Sequence, residues 1–504
     1  MKSSNLSKLL SNYITRLWGL ISVFIFVPIY ISYIGIENYA LIGFYTLLLG
    51  IISFADSGLS SAIIKEFALN HSASFKYSLL RNIENIYWSI CLGICLIISG
   101  CSELISSKWL NSSTIEKDRL AYYVILIGIG VTVQLLSSLY FGSLFGLNKQ
   151  VKANSLQIIW NLFRSAFVIL LFIFIKPSLE VYFIWQIVCN VCYVTILRYL
   201  TIKELRKQEI FLRNILSSIP KHILKYISGM IVIAIISAVN TQADKIITSS
   251  FFSLKIFGYY NIVSILSQVA VILASPLTLF VFPLFSKFSF QKSDSEKLNI
   301  CFEKISYLLH LIIFPASILM FLYAGEIIKL WTGKAIEVEM LPDLIVVLRF
   351  LTIGSLFLAM QFPIFYLFLS KGKTKYTIYQ GLIQIFFGLP LLYLCASHYG
   401  LTGIGIPWVL INLGSLVYLY CVCFTRYLSI KQKFYFIHIL IIPFIITISI
   451  NGIMHIFFRS TNLSFYYFFI FGGIFSIVVS IIIKNILTKN NFLNYRDLYN
   501  FPTI

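Results

Sequence analysis

Fourteen runs of about twenty consecutive apolar residues each, parted by short polar stretches, leave this 504-residue chain few architectures. A bilayer core of roughly 30 Å takes about 20 helical residues to cross, and within it every backbone polar group must be bonded inside the protein. Helices and closed barrels meet that condition. Barrel strands would alternate apolar and polar side chains over about ten residues, whereas these runs are twice as long and continuous. The pattern predicts an all-α polytopic membrane protein. Its spans fall near 13–34, 40–63, 84–102, 121–145, 154–175, 180–199, 224–248, 257–284, 302–324, 343–369, 377–396, 402–424, 434–457 and 465–483.

Charge tests that count. The chain is 59% hydrophobic and 12% charged, against about 25% charge in soluble proteins. Its net charge of +20 is not gathered on one domain, as a nucleic-acid binder would require, so no nucleic-acid partner is expected. The basic residues instead collect in every second loop. With the N-terminus placed inside, 28 of the 39 Lys and Arg fall in cytoplasmic segments, 8 in external loops and three within spans: Arg164, Lys245 and Arg349. Both termini are thus expected in the cytoplasm. The first apolar run lacks a small-residue cleavage site and is followed at once by a second, so it reads as a retained helix. The nine cysteines are scattered, and Cys189-x-x-Cys192 has no second ligand pair, so no metal site is expected.

The charged loop near 200–223 suggests an N-terminal lobe of spans 1–6 (1–212) and a C-terminal lobe of spans 7–12 (213–430). Spans 13–14 and a tail (431–504) would be an appendage. A weak echo links Ile36-Glu-Asn-Tyr-Ala-Leu-Ile-Gly-Phe-Tyr45 with Leu254-Lys-Ile-Phe-Gly-Tyr-Tyr260. Both follow outward-running spans, as parallel repeats would.

Polar residues that recur on one face of a spanning helix mark a surface turned to protein or water. In span five Asn154, Gln157, Asn161 and Arg164 share a stripe, with Arg164 about 15 Å deep by helical rise. Further stripes comprise Ser53, Asp56 and Ser60; Gln186 and Asn190; Ser237, Asn240 and Asp244; and Asn261, Ser264, Gln268 and Ser275. Packing between helices accounts for serines on such faces. A mid-membrane arginine costs about 2.5 to 3.5 kcal/mol even on the lenient insertion scale, and needs water, an anion or a carboxylate. The candidate cavity residues are Arg164, Asn161, Gln157, Arg16, Arg349, Lys245 and Gln268, with snorkelling to headgroups the other reading of Arg16 and Arg349. Asp56 and Asp244 are the intramembrane acids that could pair with Arg164 instead, though both lie nearer the membrane faces. Base exceeds acid in this set, which favours an anionic substrate, and forked guanidinium donors suit a pyrophosphate.

No Gly-x-x-x-x-Gly-Lys-Ser/Thr loop, His-Glu-x-x-His or Gly-x-Ser-x-Gly motif occurs, and the six histidines form no ligand-spaced cluster. No enzymatic activity and no cofactor are expected. Transport would draw on an H+ or Na+ gradient, or on substrate supply and demand.

Three segments carry a family resemblance: Phe54-Ala-Asp-Ser-Gly-Leu-Ser60, Asn240-Thr-Gln-Ala-Asp-Lys-Ile-Ile247 followed by Phe257-Gly-Tyr-Tyr260, and Tyr399-Gly-Leu-Thr-Gly-Ile-Gly405. With the length and span pattern, the chain resembles the Wzx-like O-antigen and polysaccharide repeat-unit flippases of the multidrug/oligosaccharidyl-lipid/polysaccharide exporter superfamily. That resemblance implies two six-helix lobes in a V around a cationic cavity, with Asp56 in an Asp-x-Gly-Leu motif and Asp244 in an Asn-x-x-x-Asp-Lys/Arg motif as coupling or structural residues. It further implies alternating access for an undecaprenyl-diphosphate-linked glycan in the bacterial inner membrane, among membrane lipids and beside glycan polymerase machinery. Fourteen spans also match the lipid II flippase branch, but the first helix offers only Arg16 where that branch is arginine-rich. A drug or cation antiporter of the same superfamily fits the basic interior less well. A membrane glycan polymerase would be expected to carry a large external loop, and the loops near 103–120 and 325–342 are short.

Overall fold

Helix forms over each of the fourteen apolar runs, because a chain in hydrocarbon has no other local way to satisfy its backbone. The computed structural model describes residues 2–69, 71–207, 221–289, 295–333, 335–373, 375–461 and 464–488. The long helices are α1 (Lys2–Ile34), α2 (Ile36–Ala68), α3 (Ala73–Gly100), α4 (Lys117–Gly146), α5 (Gln150–Phe174), α6 (Leu179–Arg206), α7 (Lys221–Phe251) and α8 (Leu254–Ser267). They continue as α9 (Val269–Ser289), α10 (Ser295–Leu322), α11 (Leu341–Ser370), α12 (Lys375–Gly403), α13 (Gly405–Arg426), α14 (Ile442–Ser460) and α15 (Phe465–Thr488). Eleven helices among the described residues are long and apolar enough to cross a bilayer, with shorter apolar stretches at Ile21–Ile34 and Ile36–Ile52. No strand occurs among the described residues.

The chain forms two compact units, Met1–Asn261 with Trp331–Ile336, and Ile262–Leu330 with Glu337–Ile504. In the first, α4 is the buried centre, packed on α2, α3 and α6, while α1 lies on α5 and α2 on α7. Pro28 inside α1 has no N–H to give the carbonyl four residues back. Trp331 takes up that carbonyl, its indole Nε1 donating to the Phe24 oxygen at 2.8 Å. The two echoed segments touch. A Cβ on Gly258 would come within 2.7 Å of the Ile36 carbonyl oxygen, and one on Gly43 would collide with the Asn261 amide. Glycine at these positions lets α2 and the start of α8 approach backbone to side chain.

Buried carboxylates fasten the ends of this unit. Glu84 accepts from Arg198 Nε at 2.7 Å and from the Tyr140 hydroxyl at 2.6 Å, tying α3, α4 and α6 together. Glu204, on the charged continuation of α6 beyond the 180–199 run, receives Lys152 at 2.6 Å, Lys149 at 3.3 Å and Lys207 at 3.4 Å. The Lys152 hydrogen bond, with Lys149 beside it, holds this carboxyl down at about 2 rather than 4.5. A depressed folded-state pKa contributes stability above pH 4.5 that fades as pH falls toward 2. Thermal unfolding of Glu204→Gln in detergent is therefore expected to trail the parent at pH 6, with the gap narrowing at pH 3.

In the second unit α11 is central, packed on α9, α10 and α13, with α12 against α13 and the pair α14–α15 against α10. The Tyr307 hydroxyl donates to the Ser480 carbonyl at 2.8 Å, and the His310 Nδ1 pairs with the Ile439 carbonyl at 2.8 Å. Lys484, counted by sequence among the cytoplasmic loop charges, is buried, with its ammonium over the Tyr307 ring at 4.4 Å.

Candidate functional site

Arg164 sits on α5 within the first unit, and its half-buried guanidinium is held by neutral groups. Nη1 donates to Gln134 Oε1 at 3.2 Å, and the guanidinium carbon lies 4.6 Å from the Trp160 ring centroid. Gln134 on α4 also accepts from the Tyr45 hydroxyl of α2 at 2.8 Å, and that hydroxyl accepts from Asn190 Nδ2 of α6 at 3.2 Å. Asn190 donates to the Gly130 carbonyl at 3.1 Å as well, and Gln186 Nε2 reaches the Arg164 carbonyl at 3.2 Å. Four helices thus fix one cation through amides and a phenol.

Among the described residues no carboxylate lies within ion-pair distance of Arg164. The two intramembrane acids are engaged elsewhere, each by a tyrosine. The Tyr87 hydroxyl of α3 donates to Asp56 Oδ1, and the Tyr260 hydroxyl of α8 donates to Asp244 Oδ2 at 2.6 Å. The second contact joins the two halves of one sequence motif, Asn240 to Ile247 and Phe257 to Tyr260. Tyr260→Phe leaves a partly buried carboxylate without its donor, a loss of about 1.5 to 3 kcal/mol for a charged hydrogen bond. A lowered melting temperature in detergent checks it.

The stripe on α5 divides. Asn154 is buried, donating to Ser11 Oγ at 3.0 Å and to Asn12 Oδ1, so it packs α5 on α1. Gln157 and Asn161 are half-buried on the same helix as Arg164, and Lys245 is half-buried on α7. Gln186 and Asn190 pack helices. In the second unit, Gln268 occupies the break between α8 and α9 and donates to Ser355 Oγ at 3.4 Å. Arg349 donates through Nε to the Phe321 carbonyl at 3.1 Å, in the last turn of α10, where a cation also meets the negative end of the helix dipole. The Arg16 side chain lies outside the described residues, as does that of Ser53. Sequence reading missed Gln134, Tyr45 and Trp160. The signal for Gln134 was present: a lone amide in the apolar run 121–145, facing no stripe of its own.

The sequence profile of the family described as "Polysaccharide biosynthesis protein" matches residues 5–289. A Shigella flexneri protein named for O-antigen transport is 24% identical over 400 residues, covering 78% of this chain and 91% of that protein. The lipopolysaccharide biosynthesis protein WzxC of Escherichia coli K12 is 22% identical over 216 residues, 43% of this chain and 42% of that one. Among solved structures, the lipid II flippase MurJ in an inward closed conformation superposes with a TM-score of 0.70 at 17% identity, over 97% of this chain and 99% of MurJ. An inward-facing MATE family multidrug transporter gives 0.60 at 14% identity, over 82% and 94%. These likenesses establish the fold.

Proposed function

The chain belongs to the polysaccharide biosynthesis protein family, and from that membership we propose that it is a flippase for lipid-linked oligosaccharide repeat units. Its cargo, of O-antigen or capsule type on undecaprenyl diphosphate, moves from the cytoplasmic to the outer face of the bacterial inner membrane. The relatives named for O-antigen transport and lipopolysaccharide biosynthesis support this reading.

One observation carries it: a guanidinium within a spanning helix, oriented by Gln134 and backed by Trp160, with no carboxylate among the described residues to neutralise it. A cation so placed repays its desolvation when an anion arrives. Two parallel N–H donors match the oxygens of a diphosphate or an acidic sugar, and a low dielectric strengthens the contact. Gln157 and Asn161, on the same helix, supply neutral donors and acceptors suited to sugar hydroxyls. Movement follows alternating access, with an H+ or Na+ gradient as the driving force. Asp56 and Asp244, each bonded to a tyrosine hydroxyl, are carboxylates to which such a cation could couple.

Deleting the protein tests the direction of transport. Lipid-linked units are expected to accumulate on the cytoplasmic face, protected from externally added glycosidase. Single units displayed outside would instead indicate a polymerase. Accumulation of lipid II in the deletion strain would indicate the peptidoglycan-precursor branch.

A further inference from the structure

A cleft of about 270 Å³ lies between α12 and α13 in the second unit, lined by Ile383, Phe387 and Leu391 on one side and Leu410, Gly414 and Tyr418 on the other. Ile383, Phe387 and Leu410 are all exposed, which in spanning helices means contact with hydrocarbon. Gln380, Gln384 and Ser415 also line the cleft, but their polar groups are engaged with protein. Gln380 Nε2 donates to Gln361 Oε1 at 2.8 Å and Gln384 Nε2 to Ser415 Oγ at 2.8 Å, so what remains takes a hydrocarbon chain rather than a polar solute. Gly414 opens it, because a Cβ there would meet nothing within 4 Å.

The cleft has a length and a polar end. From Gln380 to Leu391 is eleven residues, about 16 Å of helical rise, against about 15 Å for the hydrocarbon of one leaflet. At the Gln380 end the helices emerge into Lys371, Lys373, Lys375 and Arg426. Arg426 Nη1 donates to the Tyr376 hydroxyl at 2.9 Å, and Arg426 and Tyr376 are electrostatic neighbours of Tyr418 in the cleft. No carboxylate among the described residues pairs with these four cations, and the sequence contains no Asp or Glu between Asp343 and Asp497.

We propose that the α12–α13 cleft with the Lys371, Lys373, Lys375 and Arg426 cluster is a binding site for an anionic membrane phospholipid. One acyl chain lies along Ile383, Phe387 and Gly414, and the phosphate rests on the basic cluster. The chain length selects a phospholipid over a polyprenyl carrier, whose far longer tail would overrun a cleft one leaflet deep. The basic cluster selects an anionic headgroup over a zwitterionic one, because each cation near the surface attracts net negative charge.

Native mass spectrometry of the full chain in detergent tests this, with phosphatidylglycerol, phosphatidylcholine and undecaprenyl diphosphate each supplied alone. Phosphatidylglycerol is expected to be retained at least tenfold more than phosphatidylcholine. Both Gly414→Leu, which fills the cleft, and the triple variant Lys371→Gln, Lys373→Gln, Lys375→Gln are expected to lose that retention. The triple variant alters loop and helix-start positions, so it serves even if Gly414→Leu folds poorly. Equal retention of the two phospholipids, unchanged retention in the triple variant, or stronger retention of undecaprenyl diphosphate that Gly414→Leu abolishes, would overturn the proposal.

Discussion

Arg164→Ala is expected to abolish surface glycan while the protein remains in the membrane at its normal level. Two charge-assisted hydrogen bonds to a phosphate-type oxygen pair contribute about 1.5 to 3 kcal/mol each. Their loss corresponds to about a hundredfold to ten-thousandfold in binding, enough to silence a transporter that handles scarce substrate. The fold has little reason to suffer, because among the described residues the arginine pairs with no carboxylate and its side chain donates to an amide that Tyr45 also satisfies. Lys at 164 keeps the charge but loses the fork and the stacking on Trp160, so it should restore glycan only in part. Surface glycan staining with immunoblotting of membranes reads both quantities. Normal glycan in Arg164→Ala would remove the cation from the mechanism.

The second large effect is expected at Gly403, where alanine should remove folded protein from the membrane. Its Cβ would collide with the Cys395 carbonyl oxygen, a backbone atom that cannot swing aside. Gly400, at φ 61 and ψ −144, occupies a region open essentially to glycine, and it kinks α12 near its C-terminal end. Alanine at 400 should cost about 1 to 3 kcal/mol, and Gly403→Ala more, because strain there is steric against fixed backbone. Membrane yield and melting temperature in detergent should rank wild type above Gly400→Ala above Gly403→Ala. The motif from Tyr399 to Gly405 is thereby explained as a turn that geometry forces to be glycine-rich.

Helices were legible because hydrocarbon leaves the backbone no alternative, and the run lengths carry that constraint directly. Partners were less so. Periodicity placed Asn154 and Arg164 on one stripe, yet a stripe wider than one neighbour cannot say that Asn154 meets Ser11 on α1 while Arg164 meets Gln134 on α4. The tyrosines that hold Asp56 and Asp244 sit 31 and 16 residues away. Nothing in local spacing joins Tyr87 to Asp56, whereas Tyr260 belonged to the same quoted motif as Asp244. Lys149, Lys152 and Lys207 fit the alternation of basic loops that sets topology, and they are also the counter-charges of buried Glu204. A loop lysine satisfies both demands at once, so its sequence position cannot separate them. Arg349 illustrates the opposite case: its donor finds the carboxyl end of α10 through tertiary packing.

The most direct test is translocation by the purified chain. Proteoliposomes would be loaded with an undecaprenyl-diphosphate-linked repeat unit, and the fraction reached by externally added glycosidase followed over time. Wild-type protein is expected to expose the internal pool while Arg164→Ala leaves it as protected as in protein-free vesicles. Exposure at the wild-type rate by Arg164→Ala, or none above protein-free vesicles by the wild type, would contradict a flippase that seats its anionic cargo on Arg164.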